Sequence, residues 1–112
     1  MNIIEQQENG ITVLILDGRL DTVTYSDLET KMNELIGSQT KRIVLDFEKL
    51  VYISSSGLRV ILNSLKQMSR LNGVIVLAAV NDMIMEVFEM SGFLQILQIG
   101  ENRQEALEMA AK

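Results

Sequence analysis

The 112-residue chain contains no cysteine and no histidine. Those two absences exclude a disulfide scaffold, a thiol nucleophile, a Cys/His zinc site and an imidazole general base, which removes most of the common catalytic machinery. Positive charge is scarce as well. Ten Lys and Arg stand against fifteen Asp and Glu, for a formal net charge of -5. The basic residues are scattered rather than gathered into a stripe, so no nucleic-acid partner is expected. Long apolar runs are missing: the longest, Val74 to Val80, falls far short of the roughly 20 residues that cross a bilayer. No membrane insertion is expected. The start Met1-Asn2-Ile3-Ile4-Glu5 has neither a basic n-region nor a long apolar h-region, so a cytoplasmic location is expected.

What is present is ordinary globular usage, with 47% hydrophobic and 22% charged residues. A chain of this length fits one domain with one compact core, spanning residues 1–112. Alternation through Ile11-Thr12-Val13-Leu14-Ile15-Leu16, preceded by Asn9-Gly10, predicts an opening β-hairpin. Leu28, Met32, Leu35 and Ile36 fall at helical spacing, which predicts a helix over Thr22–Ile36 with Gly37 as its stop. Asp21 or Thr22 would cap that helix, although Ser26 with Glu29 also spells a capping box; the earlier start is preferred.

The segments 41–47 and 74–80 are short, continuously apolar and rich in β-branched residues, as in central parallel strands covered on both faces. Between them, Leu58, Ile61, Leu62, Leu65 and Met68 form the stripe of a crossover helix ending at Asn72-Gly73. A third helix is expected from Asp82 to Ser91, capped by Asn81 or Asp82, with Ile84, Val87 and Phe88 inward and Gly92 ending it. A short strand from Leu94 to Ile99 and a final helix opened by Asn102, with Glu105 in capping-box position, complete the order. The fold class is therefore α/β: a single domain with a mixed central sheet of about five strands and about four helices.

The most informative stretch runs from Asp46 through Ile53-Ser54-Ser55-Ser56-Gly57-Leu58-Arg59. Three hydroxyls and a glycine stand where a strand region gives way to a helix, a position at which binding loops gather in α/β sheets. Taken on the residues alone, this is an ordinary capped helix start, with hydroxyls satisfying orphan N-H groups and Gly57 allowing a tight entry. A phosphate added there would meet the positive end of the helix dipole. Asp21 and Asp46 are more readily loop-capping residues than a catalytic pair. Along the third helix Met83, Met85 and Met90 cannot all face inward; filling core gaps is the first expectation, an adaptable docking surface the second. Gly18 and Gly73 belong to turns, since no phosphate-binding glycine motif occurs.

The chain resembles the STAS domains, and within them the bacterial anti-sigma factor antagonists. The resemblance covers nearly its whole length. It rests on Gly18-Arg19-Leu20-Asp21, on Ile43-Val44-Leu45-Asp46 through Leu50, on Ile53-Ser54-Ser55-Ser56-Gly57-Leu58, on Ser91-Gly92-Phe93 and on Glu105-Ala106-Leu107. It implies that an anti-sigma factor with serine kinase activity phosphorylates Ser55, and that Asp21, Ser54, Ser55, Ser56, Gly57 and Arg59 belong to the partner surface. A phosphatase would complete the cycle. ATP would serve the kinase, so this chain needs no cofactor and is not an enzyme. The chain departs from the family pattern twice, with Ser54 where an aspartate is usual and Arg59 where glycine is frequent. Ser54 keeps a cap but drops a carboxylate, while Arg59 offers a guanidinium either to a phosphate on Ser55 or to an acidic partner.

The reading that follows is an antagonist that binds its anti-sigma factor when unphosphorylated and lets go when phosphorylated. The alternative is a STAS scaffold or ligand-binding subunit of a transporter-associated or sensory complex, without phosphorylation. A small hydrolase is excluded for want of a base to activate any serine.

Overall fold

Six strands, four α-helices and one 3-10 turn account for the regular structure in the computed structural model, which describes residues 1–112. β1 (Asn2–Glu8) and β2 (Ile11–Leu20) form the expected hairpin, with Glu8 opposite Ile11. Its turn residues Asn9 and Gly10 both take positive φ, at 54° and 79°, which matches the twist of a two-residue hairpin loop. α1 (Tyr25–Gly37), β3 (Arg42–Asp46), β4 (Leu50–Ile53), α2 (Ser55–Arg70), β5 (Val74–Ala78) and α3 (Asp82–Ser91) follow. The 3-10 turn (Leu94–Ile96), β6 (Ile99–Gly100) and α4 (Arg103–Ala111) close the chain.

The main sheet runs β1-β2-β3-β5-β6, antiparallel at β1/β2 and parallel elsewhere. β3 and β5 are central, and their unbroken apolar character has the expected cause. Ile43, Leu45, Ile75 and Leu77 face a core shared with α1, α2 and α3, while Val44, Val76 and Ala78 face a smaller core closed by Ala106, Leu107 and Ala110 of α4.

Four expectations are corrected. β4 was not anticipated as a strand of its own. It exists because β2 shifts register between Gly18 and Arg19, so the first part of β2 pairs with β3 and the last part with β4. The segment 94–99 is mostly not a strand: Leu94–Ile96 is a 3-10 turn and only Ile99–Gly100 joins the sheet. α1 starts at Tyr25 rather than Thr22, and neither Asp21 nor Thr22 caps it, nor does Ser26 with Glu29. Asp21 instead shapes the turn before the helix, its Oδ1 accepting from the N-H groups of Val23 and Thr24 at 3.0 Å each. Finally, Met83 and Met90 do not fill the core; they are 63% and 88% exposed, because Ile84 and Phe88 occupy the inward face of α3.

Asp46 has the structural role expected of it. It is buried, accepts from the Glu48 N-H at 3.0 Å, and takes Nε and Nη2 of Arg103 on its Oδ2 at 3.0 Å each. Arg103 also reaches Gln6 and Glu8, so the start of α4 is tied to β1 and β3. No helix is long and apolar enough to cross a membrane.

Candidate partner-binding site

Ser54 sits in extended backbone, with φ -95° and ψ 172°, and its Oγ accepts from the Gly57 N-H at 3.2 Å, so it is the N-cap of α2. Its own N-H donates to the Leu20 carbonyl at 2.8 Å, which pins the helix start to the end of β2. Gly57 completes this junction. A Cβ there would lie 2.6 Å from Leu20 Cγ, in a side chain with no exposure, and 3.1 Å from the Leu20 carbonyl oxygen, so only glycine lets α2 approach so closely.

The three hydroxyls are not equivalent. Ser54 is spent on the cap and Ser56 is half-buried, whereas Ser55 is exposed and makes no hydrogen bond within the protein. Ser55 is the first residue of a 16-residue helix whose first turn carries no acidic side chain. The site therefore presents one hydroxyl that is both exposed and unbonded beside unneutralised helix N-H groups.

Asp21 follows Leu20 directly, and so stands beside this loop through the Leu20–Ile53 strand pair. The N-H groups of Thr24 and then Val23 hold its carboxyl below the usual aspartate range, against the opposing effect of desolvation, with help from the Thr24 hydroxyl and Arg19. Arg19 pairs with Asp21 at 3.7 Å and lies over the Tyr52 ring at 4.3 Å. No sequence pattern announces this cation-π contact, because Arg19 and Tyr52 become neighbours only when β4 pairs with β2. Val23, 81% exposed, extends the same surface.

Arg59 lies one turn into α2, exposed and without an ion-pair partner. It borders two grooves. A small one of about 90 Å³ lies toward Tyr25 and Glu29 of α1, with Ser56 in its wall. A larger one of about 420 Å³ lies toward Phe93 and Ile96, with Ser55 in its wall. The structure thus gathers Ser54, Ser55, Ser56, Gly57 and Arg59 at the start of α2, sets Asp21 at the end of the neighbouring β2, and adds Phe93 and Ile96, whose exposure no periodic pattern announces. A roomier hollow of about 600 Å³ between α3 and β6 contains Glu89 and Glu101 as its charged side chains and lies apart from the serines. No cluster of three His, Cys, Asp or Glu residues is placed to hold a metal ion.

Comparison with known proteins agrees with the α/β fold. The STAS domain family profile matches residues 2–106. BtrV of Bordetella bronchiseptica, provisionally named an anti-sigma factor antagonist, is 34% identical, over 95% of this chain and 91% of its own length. The anti-sigma F factor antagonist of Paenibacillus polymyxa is 32% identical, over 96% and 92% respectively. The structure of the Bacillus cell fate determinant SpoIIAA in its phosphorylated form superposes with a TM-score of 0.75 at 21% identity, covering 96% of this chain and 98% of that one.

Proposed function

Because the chain belongs to the STAS domain family, we propose that it is an anti-sigma factor antagonist switched by phosphorylation of Ser55. The unphosphorylated form binds an anti-sigma factor with serine kinase activity, and the anti-sigma factor releases its sigma factor. A kinase that uses ATP and a phosphatase run the cycle, while this chain supplies the hydroxyl and the docking surface. The names of its curated relatives support the first part of this reading. Their serine chemistry is not part of those names, so the second part rests on this molecule.

The observation that carries it is the selection among three serines. Ser55 alone is exposed and unbonded at a helix mouth whose cap is already supplied by Ser54. A phosphate on Ser55 adds about -1.5 to -2 charge at pH 7, which the helix N-terminus tolerates in the free protein. Against a partner the same charge must be desolvated or must face like charge. A loss of about 3 kcal/mol is enough to weaken binding more than 100-fold. No refolding is needed.

The test is to use wild type, Ser55→Ala and Ser55→Asp as baits in lysate from the source organism, with mass spectrometry of the captured proteins and of the bait itself. A kinase-like anti-sigma factor retained by wild type and Ser55→Ala but lost with Ser55→Asp, with phosphate on Ser55, is the expected result. Retention of the same transporter-associated or sensory complex by all three baits, with unmodified serines, would instead support a scaffold. The absence of a carboxylate at Ser54 is the feature that favours that second reading.

A further inference from the structure

The larger groove beside Ser55 identifies the kind of surface the partner presents, an inference that rests on the antagonist reading above. Leu58, Leu62 and Leu65 of α2 form one wall, and Phe93 and Ile96 form the other. This is apolar surface left in water: Leu62 and Leu65 are only half-buried, although they belong to the helical stripe that otherwise packs inward, and Ile96 is 60% exposed. The charged residues of the lining are Arg59 and Lys66, both cationic and both without an ion-pair partner. In a chain of net charge -5, a local site with cations alone is a departure from the surroundings. Arg59 and Lys66 are two helical turns apart, so they stand on the same side of α2.

An apolar trough edged by two unpaired cations complements an amphipathic helix that carries carboxylates beside its apolar stripe. We propose that this groove receives an acidic amphipathic helix of the anti-sigma factor. Its apolar side chains enter between the α2 leucines and Phe93 and Ile96, and its carboxylates meet Arg59 and Lys66. The stretch from Ser55 to Lys66 is about 16 Å long at 1.5 Å per residue, which fits a helix of about three turns with anchors at i, i+3 or i+4, and i+7. Ser55 lines the same groove, four residues before Arg59. A phosphate on Ser55 therefore repels the incoming carboxylates and engages the guanidinium that would receive one of them. Arg59 links the docking surface to the switch.

The test is calorimetric titration of the anti-sigma factor recovered in the preceding experiment into wild type, Arg59→Glu/Lys66→Glu and Arg42→Glu/Lys112→Glu. The last carries the same charge change on two exposed residues away from the groove. The groove reversal is expected to weaken binding at least 30-fold, and the distant reversal less than twofold. The neutral pair Arg59→Gln/Lys66→Gln is expected to lose about tenfold, and it replaces the reversal should the latter fail to fold. Wild-type affinity in the groove variants would overturn the docking proposal and leave the antagonist reading standing. Failure of wild type to recover any anti-sigma factor would overturn both.

Discussion

Two helices of this protein begin in nearly the same way and are used in opposite ways. α2 is capped by Ser54, whose Oγ accepts from Gly57, and α4 by Asn102, whose Oδ1 accepts from the Glu105 N-H at 2.9 Å. Each start leans on a close glycine contact, Gly57 against Leu20 and Gly100 against Ala106. At α4, however, Glu105 lies in the first turn and its carboxylate returns to the Glu101 N-H at 3.0 Å, while Arg103 locks onto Asp46. The positive end of that helix is already satisfied by acid from its own chain. At α2 the first turn is neutral and Ser55 is exposed. The comparison separates a helix mouth whose N-H groups are already met by acid from its own chain from one at which an exposed serine hydroxyl is left facing them.

The sharpest way to break this contrast is to disturb the closed end and ask whether the open end notices. A Cβ at Gly100 would fall 2.7 Å from the Ala106 nitrogen, a backbone atom that cannot swing aside. Gly100→Val is therefore expected to cost about 3 kcal/mol or more, which lowers Tm by roughly 12 °C in calorimetry, with partner affinity unchanged below that temperature. A parallel loss of partner binding would mean that the two ends are not independent.

Next in size is the ion pair at the closed end. Asp46→Ala removes a buried carboxylate and leaves the Arg103 guanidinium with only Gln6 and Glu8, on a side chain that is 32% exposed and so retains part of its hydration. A loss of about 2 kcal/mol is expected, at the lower end for a broken buried pair because of that hydration. A chemical denaturation midpoint equal to that of wild type would show that Arg103 and Asp46 contribute nothing to holding α4.

The two caps provide a finer comparison. Ser54→Ala and Asn102→Ala should each cost about 1 kcal/mol, measured by urea unfolding. Only the first should change how readily a kinase modifies Ser55, since it frees a backbone N-H beside that hydroxyl. Equal phosphorylation rates in the two variants would remove the functional distinction between the caps.

The smallest effect belongs to Asp21 and is lost only in acid. Its folded-state pKa is lowered, so its contribution to stability is present above the ordinary aspartate value of about 3.9 and is lost as pH falls through the lower folded value. The Tm difference between wild type and Asp21→Asn should therefore be constant near neutrality and close on acidification below about pH 3.9. Curves that stay parallel into strong acid would contradict the role of the Val23 and Thr24 amides.

The hairpin, the central strands and the caps of α2, α3 and α4 were legible in the sequence, because each depends on neighbours within a few residues: Asn9-Gly10, runs of β-branched residues, and Ser54, Asn81 and Asn102 each three residues before the amide it accepts. The serine loop was legible for the same reason. β4 was not, because Leu50–Ile53 becomes a strand only when the register shift in β2 exposes an edge to pair with. The start of α1 was misplaced because Asp21 can satisfy amides in a turn as well as in a helix, and local sequence does not decide between them. That some of the α3 methionines are exposed was legible, but which ones was not: Met85 packs against the core while Met83 and Met90 do not, because periodicity states which residues share a face but not whether anything covers it.

Local chemistry alone thus determined the fold class, the neutral cap of α2 and the presence of three adjacent hydroxyls. Tertiary structure decided which hydroxyl is exposed and free, by spending Ser54 on Gly57 and half-burying Ser56 beside α1. It also decided that Arg59 shares a groove with Lys66, Phe93 and Ile96. The physical reason is range: capping and strand propensity act over one turn or one strand, whereas exposure and groove formation depend on what distant elements leave uncovered.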